Sequence, residues 1–314
     1  MKETLYPQVS DVGRRLQEIA PEVGRTPLHA FHGLTARPQV KLYAKKEWEQ
    51  PGGSVKCRAA YRIIRHAVEN GELRGDKILL DATSGNTGIA YASVAARIGI
   101  RVTLCLPENA SRERKEILES LGAELVLTSR FEGTDGAQQA ARKLFRENPG
   151  RYFYANQYGN DHNWLAHYQN GTADEIYDAL PGITHFVAAL GSTGTLTGTG
   201  RRLAELDPRI RTVALQPDTP MHGLEGWKHL ETALVPGIYD PSVAHETVEV
   251  STEEAHDIIR KVYAAEGWLL SPSAAGNLAG AVKVAAGLER GTVVTVLPDH
   301  ADRYGETIQK ILTC

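Results

Sequence analysis

One lysine of the chain stands in a setting that suits a nucleophilic amine. Lys56 closely follows Gly52 and Gly53 and occupies the predicted start of a helix, with Arg58 two residues further on. The glycines allow the backbone to approach a flat ring. A lysine nucleophile needs part of its amine in the neutral form, which the positive end of a helix and a neighbouring cation favour. The pattern predicts a lysine that forms an imine, and a solvated surface lysine is the alternative.

Two further loops contain groups that bind anions. Residues 83–88 read Thr-Ser-Gly-Asn-Thr-Gly and residues 191–195 read Gly-Ser-Thr-Gly-Thr, each between a strand-like and a helix-like run. Backbone N–H groups at the start of a helix bind carboxylates and phosphates. We therefore predict an anion site at 83–88 and a monophosphate site at 191–195. An ordinary turn is the alternative for both loops, capped in the first by Ser84 or Asn86.

The three segments together are typical of an enzyme that uses pyridoxal 5′-phosphate (PLP). Such an enzyme needs an imine-forming lysine, a loop rich in hydroxyl and amide groups, and a cradle for the cofactor phosphate. The loop 191–195 lacks the lysine of a P-loop and the spacing of a dinucleotide fingerprint, which argues against a nucleotide-dependent enzyme. His162 and His167 do not align on one helical face, and no neighbouring pattern completes a metal site. We predict PLP as the cofactor and no metal.

Alternating elements must position these loops. The predicted strands are 77–81, 101–106, 124–128, 184–190, 212–216 and 293–297. The predicted helices are 89–97, the segment from a Ser111 cap to Leu121, 195–206, and the segment that begins with a capping box at Ser251. This alternation predicts an α/β protein with two mostly parallel sheets. Ligands of such folds bind at the carboxyl ends of the strands, where the three loops lie.

Composition excludes several other classes of protein. The chain has 314 residues and a net charge of −3, with Lys and Arg scattered among acidic residues, so we expect no nucleic-acid binding. No apolar run approaches the roughly 20 residues that span a bilayer, and the first residues lack an apolar signal segment, so we expect no membrane association. Cys57, Cys105 and Cys314 form neither a disulfide framework nor a zinc pattern, which fits a cytoplasmic protein.

Several motifs resemble those of the cysteine synthase/cystathionine β-synthase family of PLP enzymes, which is tryptophan synthase β-like and of fold type II. The resemblance covers essentially the whole chain and is greatest to the CysM-like branch of cysteine synthases. The segments that carry it are 51–56, 83–88, 107–114, 156–158, 191–195, 271–273, 297–299, and Arg303 with Tyr304.

The resemblance implies a complete architecture. We expect two three-layer domains with mostly parallel twisted sheets and PLP in the cleft between them. Residues 42–150 would form a smaller, mobile domain that carries the substrate loop. Residues 1–41 and 151–314 would form a larger domain that binds the cofactor phosphate.

The resemblance also assigns roles to individual residues. Lys56 would bind PLP covalently and act as the catalytic base, while Asn86 and Ser273 would contact the cofactor ring. The residues expected to hold the cofactor phosphate are Gly191, Ser192, Thr193, Gly194 and Thr195. The residues expected to bind the substrate are Thr83, Ser84, Gly85, Asn86, Thr87 and Gln157.

Two positions depart from the family pattern. Cys57 stands where the family usually has an aspartate, and we expect altered local hydrogen bonding there rather than lost chemistry. The segment 222–228 differs from the usual substrate loop, so the leaving group and the nucleophile stay open. Lys228 is a candidate contact for a substrate phosphate, and a solvated lysine is the alternative.

The activity implied by the resemblance is β-replacement that forms L-cysteine. The substrate would be an O-activated serine, either O-acetylserine or O-phosphoserine, and the sulfur donor would be sulfide or the thiocarboxylate of a carrier protein. Cystathionine synthesis, serine/threonine deamination and a non-catalytic binding relative are the alternatives. The resemblance further implies a homodimer, with a serine acetyltransferase or a sulfur-carrier protein as a candidate partner.

Overall fold

The computed structural model of the protein describes residues 9–313. The α-helices, numbered α1 to α11 in chain order, are Val9–Ile19, Lys56–Glu69, Asn86–Ile98, Arg112–Ser120, Gly133–Glu147, Asp161–Leu165, Thr172–Ala179, Gly194–Leu206, Thr252–Glu266, Pro272–Ala286 and Gly305–Thr313. The strands, numbered β1 to β10, are Leu28–Phe31, Val40–Lys46, Ile78–Ala82, Val102–Pro107, Glu124–Thr128, Tyr152–Tyr154, His185–Ala189, Arg211–Pro217, Glu246–Val250 and Gly291–Leu297. Short 3₁₀ turns occupy Ala20–Glu22, Pro241–Val243 and Ala301–Tyr304.

The chain divides by its internal contacts into two compact units. Among the described residues, unit 1 contains 9–23 and 56–163, and unit 2 contains 24–55 and 164–313. The sequence-based limits put residues 42–55 with the smaller domain, and residues 9–23 and 151–163 with the larger one. The contact division differs because strand β2 pairs with β10, helix α1 packs against α2 and α3, and strand β6 pairs with β3.

Unit 1 is built on a four-stranded parallel sheet in the order β5-β4-β3-β6. One face packs against α1, α2 and α3, and the other face packs against α5. All five residues of β3 and all six of β4 are buried, as expected for strands covered on both faces. Unit 1 is therefore a three-layer α/β structure, and its loop 83–88 follows the central strand β3.

Unit 2 is built on a six-stranded sheet in the order β1-β2-β10-β7-β8-β9. Only the β1–β2 pair is antiparallel. Alternate residues serve opposite faces: Val187 and Val213 pack with helices α9 and α10, whereas Ala188 and Ala214 pack with α7 and α8. The sheet is again covered on both faces, and the loop 191–195 follows its central strand β7.

The structure confirms the predicted α/β class and its two mostly parallel sheets. Each predicted strand and helix is present, with ends within three residues. The largest shift is in α3, which begins at Asn86 rather than at Ile89 because the loop itself supplies the first turn. Ser111 caps α4, and the capping box at Ser251 opens α9. No helix within residues 9–313 combines the length and the apolar character needed to cross a membrane.

Close backbone packing of α8 within unit 2 yields a stability prediction. A Cβ added at Gly198 would lie 2.0 Å from the carbonyl oxygen of Trp164. We expect Gly198→Ala to lower the free energy of unfolding by about 1–3 kcal/mol, because backbone atoms must shift to make room. Urea denaturation would measure this change.

The matched control is Gly13→Ala in α1, where, apart from the helix's own backbone, no atom of the described residues lies within 4 Å of an added Cβ. Alanine there should raise the unfolding free energy by up to about 1 kcal/mol through helix propensity alone. Equal effects of the two substitutions would contradict the close packing of α8.

Candidate active site

Lys56 is the first residue of α2, as the sequence predicts. The two preceding residues are fixed by unit 2: the Val55 N–H donates to the Pro298 carbonyl at 2.8 Å, and Ser54 forms an antiparallel bridge with Asp299. Gly53 has a φ of 63°, a conformation that glycine adopts without strain. The lysine therefore stands at the positive end of a fourteen-residue helix whose entry is held in place.

A buried carboxylate organises the segment around Ser273. Asp299 is fully buried and accepts hydrogen bonds from Ser271 Oγ at 2.6 Å, Ser273 Oγ at 3.0 Å and Tyr304 Oη at 2.5 Å. Arg303 donates to the Gly52 carbonyl. Asp299 and Arg303 thus fix the Ser273 hydroxyl and the chain that leads to Lys56.

The loop after β7 has the form of an anion cradle. Helix α8 begins at Gly194, and its N-cap residue Thr193 has a φ of 69° and makes no side-chain cap. The Thr193 hydroxyl is buried and has no hydrogen-bond partner within the described part of the chain. A Cβ added at Gly191 would lie 2.3 Å from the Gly226 carbonyl oxygen, so this position accepts only glycine without a shift. A buried hydroxyl beside a helix N-terminus fits a phosphate monoester.

The segment that departs from the family pattern lies against this cradle. The Lys228 N–H donates to the carbonyl of Leu190 at 2.7 Å, directly before the loop. Lys228 is only 8% exposed, so the alternative of a solvated lysine is wrong. The Trp227 ring packs against Gly276 in α10. The segment therefore places the backbone of a buried lysine beside the residue that precedes the loop 191–195.

The loop after β3 is shaped by Thr83 and Gly85. Thr83 Oγ1 accepts the N–H groups of Gly85 at 2.9 Å and Gly88 at 3.1 Å. The N-cap residue of α3 is Gly85, with a φ of 151°, and Thr83 Oγ1 accepts the Gly88 N–H of the first turn. Thr83 and Thr87 are buried, whereas Ser84 and Asn86 are partly exposed and can reach a ligand.

Gln157 joins this loop from a position seventy residues further along the chain. Its Oε1 accepts from Thr87 Oγ1 at 2.7 Å, and its Nε2 donates to the Ala82 carbonyl at 2.6 Å. The Asn163 side chain donates to the Gln157 carbonyl at 2.6 Å. Unit 1 thus brings together Thr83, Thr87 and Gln157, three of the predicted substrate residues.

Asp81, which sequence reasoning missed, lies directly behind the loop. It is fully buried, and its carboxylate accepts the backbone N–H groups of Ala82 at 2.8 Å and Gln157 at 3.1 Å. Burial raises the pKa of Asp81 from 3.8 to about 7, and these two hydrogen bonds oppose part of the rise. A charged residue inside an otherwise apolar strand was the available signal in the sequence.

The two described cysteines are buried. Cys57 is fully buried in α2, next to Lys56, and Cys105 is fully buried in β4. Burial raises the pKa of the Cys105 thiol to about 12, which keeps it protonated and unreactive. Within residues 9–313 no three His, Cys, Asp or Glu side chains are arranged to hold a metal ion.

A family comparison decides which chemistry these residues serve. The family model described as "Pyridoxal-phosphate dependent enzyme" matches residues 19–299, which include Lys56, the loops 83–88 and 191–195, and Ser273. The chain belongs to this family. The predicted family and its PLP cofactor are confirmed, and the Thr193 cradle, the residues around Ser273 and the placement of Lys56 fit that cofactor.

Similar proteins point in the same direction. A relative described as cysteine synthase from Aquifex aeolicus is 42% identical over 90% of this chain and 88% of its own length. A relative described as O-acetylserine dependent cystathionine beta-synthase from Bacillus subtilis is 34% identical over 92% of this chain and 96% of its own. The crystal structure of a cysteine synthase from Entamoeba histolytica covers all of this chain and 97% of its own, with a TM-score of 0.85 and 30% identity.

The orphaned Thr193 hydroxyl predicts a loss of cofactor affinity. Thr193→Val keeps the shape of the side chain but removes the hydroxyl that would bind the phosphate. Because hydrogen bonds to charged groups contribute about 1.5–3 kcal/mol, we expect PLP affinity to fall about 10- to 100-fold. Equilibrium titration of the apoprotein with PLP, followed by visible absorption, would measure the change.

Thr199→Val is the matched control for this measurement. Thr199 is also a buried threonine of α8 without a hydroxyl partner in the described residues, but it lies in the second turn. Its replacement should leave PLP affinity unchanged. A similar effect of both variants would contradict a specific role of Thr193.

The pKa of Asp81 predicts how stability depends on pH. Because the folded-state pKa of about 7 exceeds the unfolded value near 3.8, the folded protein binds this proton more tightly. The resulting contribution to the unfolding free energy is full below about pH 4 and is lost as pH rises to about 7. At ~1.4 kcal/mol per pKa unit, the loss is at most about 4 kcal/mol.

Asp81→Asn removes this titration. In urea unfolding at about pH 5 and about pH 8, the variant should gain stability relative to the unaltered protein at the higher pH. A difference between the two proteins that stays constant with pH would contradict the raised pKa.

Proposed function

We propose that the protein forms L-cysteine by β-replacement on an O-activated serine, O-acetylserine or O-phosphoserine. The observation that carries the proposal is the complete set of Lys56, the 83–88 loop with Gln157, and the 191–195 cradle, in a chain 42% identical to a cysteine synthase. The second substrate is sulfide or the thiocarboxylate of a sulfur-carrier protein.

Different residues of the chain bind the substrate, transfer the proton and hold the cofactor. The Ser84 and Asn86 side chains and the N–H groups at the start of α3 bind the substrate carboxylate, with Gln157 beside them. The Lys56 amine takes the proton from the substrate Cα and later returns it. Bound PLP supplies an electron sink for the bond that breaks at Cα. The Thr193 hydroxyl and the start of α8 hold the cofactor phosphate.

The Ser273 hydroxyl contributes through its neutrality. Asp299 accepts the hydrogen of this hydroxyl, and a neutral hydroxyl at the cofactor ring would stabilise a ring proton less than a carboxylate would. This difference favours loss of a β-substituent over transamination. Lys228, buried next to the phosphate loop, supports O-phosphoserine as a candidate substrate beside O-acetylserine.

Cystathionine synthesis is the second candidate, because one relative at 34% identity is an O-acetylserine dependent cystathionine β-synthase. The two activities share the activated serine and differ in the thiol that adds to it. Incubation with each serine ester and either sulfide or L-homocysteine, followed by mass spectrometry of the products, separates them. Pyruvate as the main product in the presence of both thiols would instead indicate deamination.

We also propose that the protein works as a homodimer in the cytoplasm, as the family resemblance implies. A serine acetyltransferase or a sulfur-carrier protein is the candidate partner. Light scattering of the purified protein would test the dimer, and a monomer at all concentrations would contradict it.

The central test of the proposed function replaces Lys56. We expect Lys56→Ala to lower the rate of cysteine formation by at least about 10³-fold, because both the covalent attachment point and the base are lost. Lys261→Ala, which removes an exposed lysine of α9, is the control and should leave the rate unchanged. Near-normal turnover of Lys56→Ala would refute the assignment.

A further inference from the structure

The pairing of β3 with β6 stops just before the substrate loop. The last backbone bond of the ladder runs from the Ala155 N–H to the Leu80 carbonyl at 2.9 Å. The chain then turns at Asn156, which has a φ of 49°. The Gln157 N–H, two residues after that of Ala155, donates to the Asp81 carboxylate at 3.1 Å instead of to a backbone carbonyl. A side chain thus continues the link between the two strands beyond the end of the ladder.

The two carboxylate oxygens of Asp81 bind different segments, the start of the 83–88 loop and the chain after β6. Oδ1 accepts the N–H of Ala82, at the entrance of the 83–88 loop, and Oδ2 accepts the N–H of Gln157. With Asn163 on its carbonyl, the Gln157 backbone is held on both sides. Its side-chain amide bonds to Ala82 and Thr87 and still has one acceptor and one donor position for a ligand.

The surroundings of Asp81 leave the carboxylate dependent on these N–H groups. The titratable groups that face it are Tyr91 from α3, Cys105 from β4, Tyr154 from β6, and Tyr158. Burial raises the pKa of each of them, so all are neutral near pH 7.

Charged groups lie one step further away. The Arg142 guanidinium of α5 partly offsets the raised pKa of Tyr154, and the Asp135 carboxylate adds to the rise in the pKa of Tyr158. Among the described residues, no lysine, arginine or histidine contributes to the pKa shift of Asp81 itself. Its charge is therefore stabilised by the two backbone N–H groups of Ala82 and Gln157.

We propose that Asp81 is a positioning residue of the substrate site, holding Gln157 against the 83–88 loop so that both segments present their donors to one substrate carboxylate. The inference rests on the proposed function, and Asp81 itself acts only through the two segments that it joins. The ionised carboxylate accepts both N–H groups, whereas the protonated form gives up acceptor strength at one of them. Substrate binding should therefore weaken as pH falls through about 7.

Hydrogen exchange measures the contact without any turnover. In the PLP-bound protein, exchange at the Gln157 amide, corrected for its intrinsic pH dependence, should become faster as pH falls from about 8 to about 6. In Asp81→Asn the exchange should be faster than in the unaltered protein at about pH 8 and should show no such transition.

Thr103→Val is the matched control for Asp81→Asn. Thr103 is buried on the adjacent strand β4, and its hydroxyl donates to Glu124 at 2.9 Å, away from both segments. The control loses one partly buried hydrogen bond of the same sheet and should retain both the slow exchange at Gln157 and its pH transition.

Kinetics test the consequence for the substrate. We expect KM for the activated serine at about pH 8 to rise about tenfold in Asp81→Asn, with kcat changed less than threefold, because binding geometry is lost and Lys56 is untouched. The rise in KM of the unaltered protein toward low pH should be absent in the variant. Thr103→Val should behave like the unaltered protein.

The outcomes distinguish this inference from the proposed function. Unchanged exchange and unchanged KM in Asp81→Asn, in a protein that forms cysteine, would overturn the role of Asp81. No turnover by the unaltered protein with either serine ester would contradict the proposed function. The exchange measurement would still decide by itself whether Asp81 holds Gln157.

Discussion

Backbone N–H groups at the start of a helix need acceptors, and the candidate site follows from how this chain meets that need. Helices α3 and α8 each begin directly after the central strand of a parallel sheet. Neither helix has a side-chain cap at its N-cap residue, Gly85 or Thr193, and in the first turn of α3 Thr83 Oγ1 accepts only the Gly88 N–H. Two loops therefore present donors, one of them beside a buried hydroxyl, to anions from outside the chain. The phosphate of PLP and the carboxylate of an amino acid are the two anions that the proposed reaction requires.

Two buried carboxylates hold functional groups near the starts of α2 and α3. In unit 2, Asp299 gathers three hydroxyls, including that of Ser273, next to the chain that enters α2 at Lys56. In unit 1, Asp81 accepts two backbone N–H groups and joins Gln157 to the loop after β3. Burying a carboxylate is costly unless hydrogen bonds compensate it, so each network must be satisfied when the protein folds. Both carboxylates thereby make the position of a functional side chain part of the fold itself.

The sequence predicted the segments whose local pattern is strong. The apolar runs of β3, β4 and β7, the glycines after them and the caps at Ser111 and Ser251 identified the α/β units and the anion loops. It did not reveal β6, which has only three residues, or β9, whose side chains are largely exposed. These strands have weak periodicity, and their pairing partners in the sheet stabilise them.

Long-range pairing accounts for the other differences. Strand β2 belongs to unit 2 because it pairs with β10, about 250 residues later, which no local pattern indicates. The contact between Asp81 and Gln157 spans 76 residues and is visible only in the folded chain. The burial of Lys228 likewise depends on how the segment 222–228 packs near Leu190 and α10.

The most direct test of the account locates the cofactor. Sodium borohydride converts an imine between a lysine and PLP into a stable amine, and peptide mass spectrometry then identifies the lysine. We predict a single pyridoxyl adduct on Lys56, and an adduct on any other lysine, or none, would contradict the account.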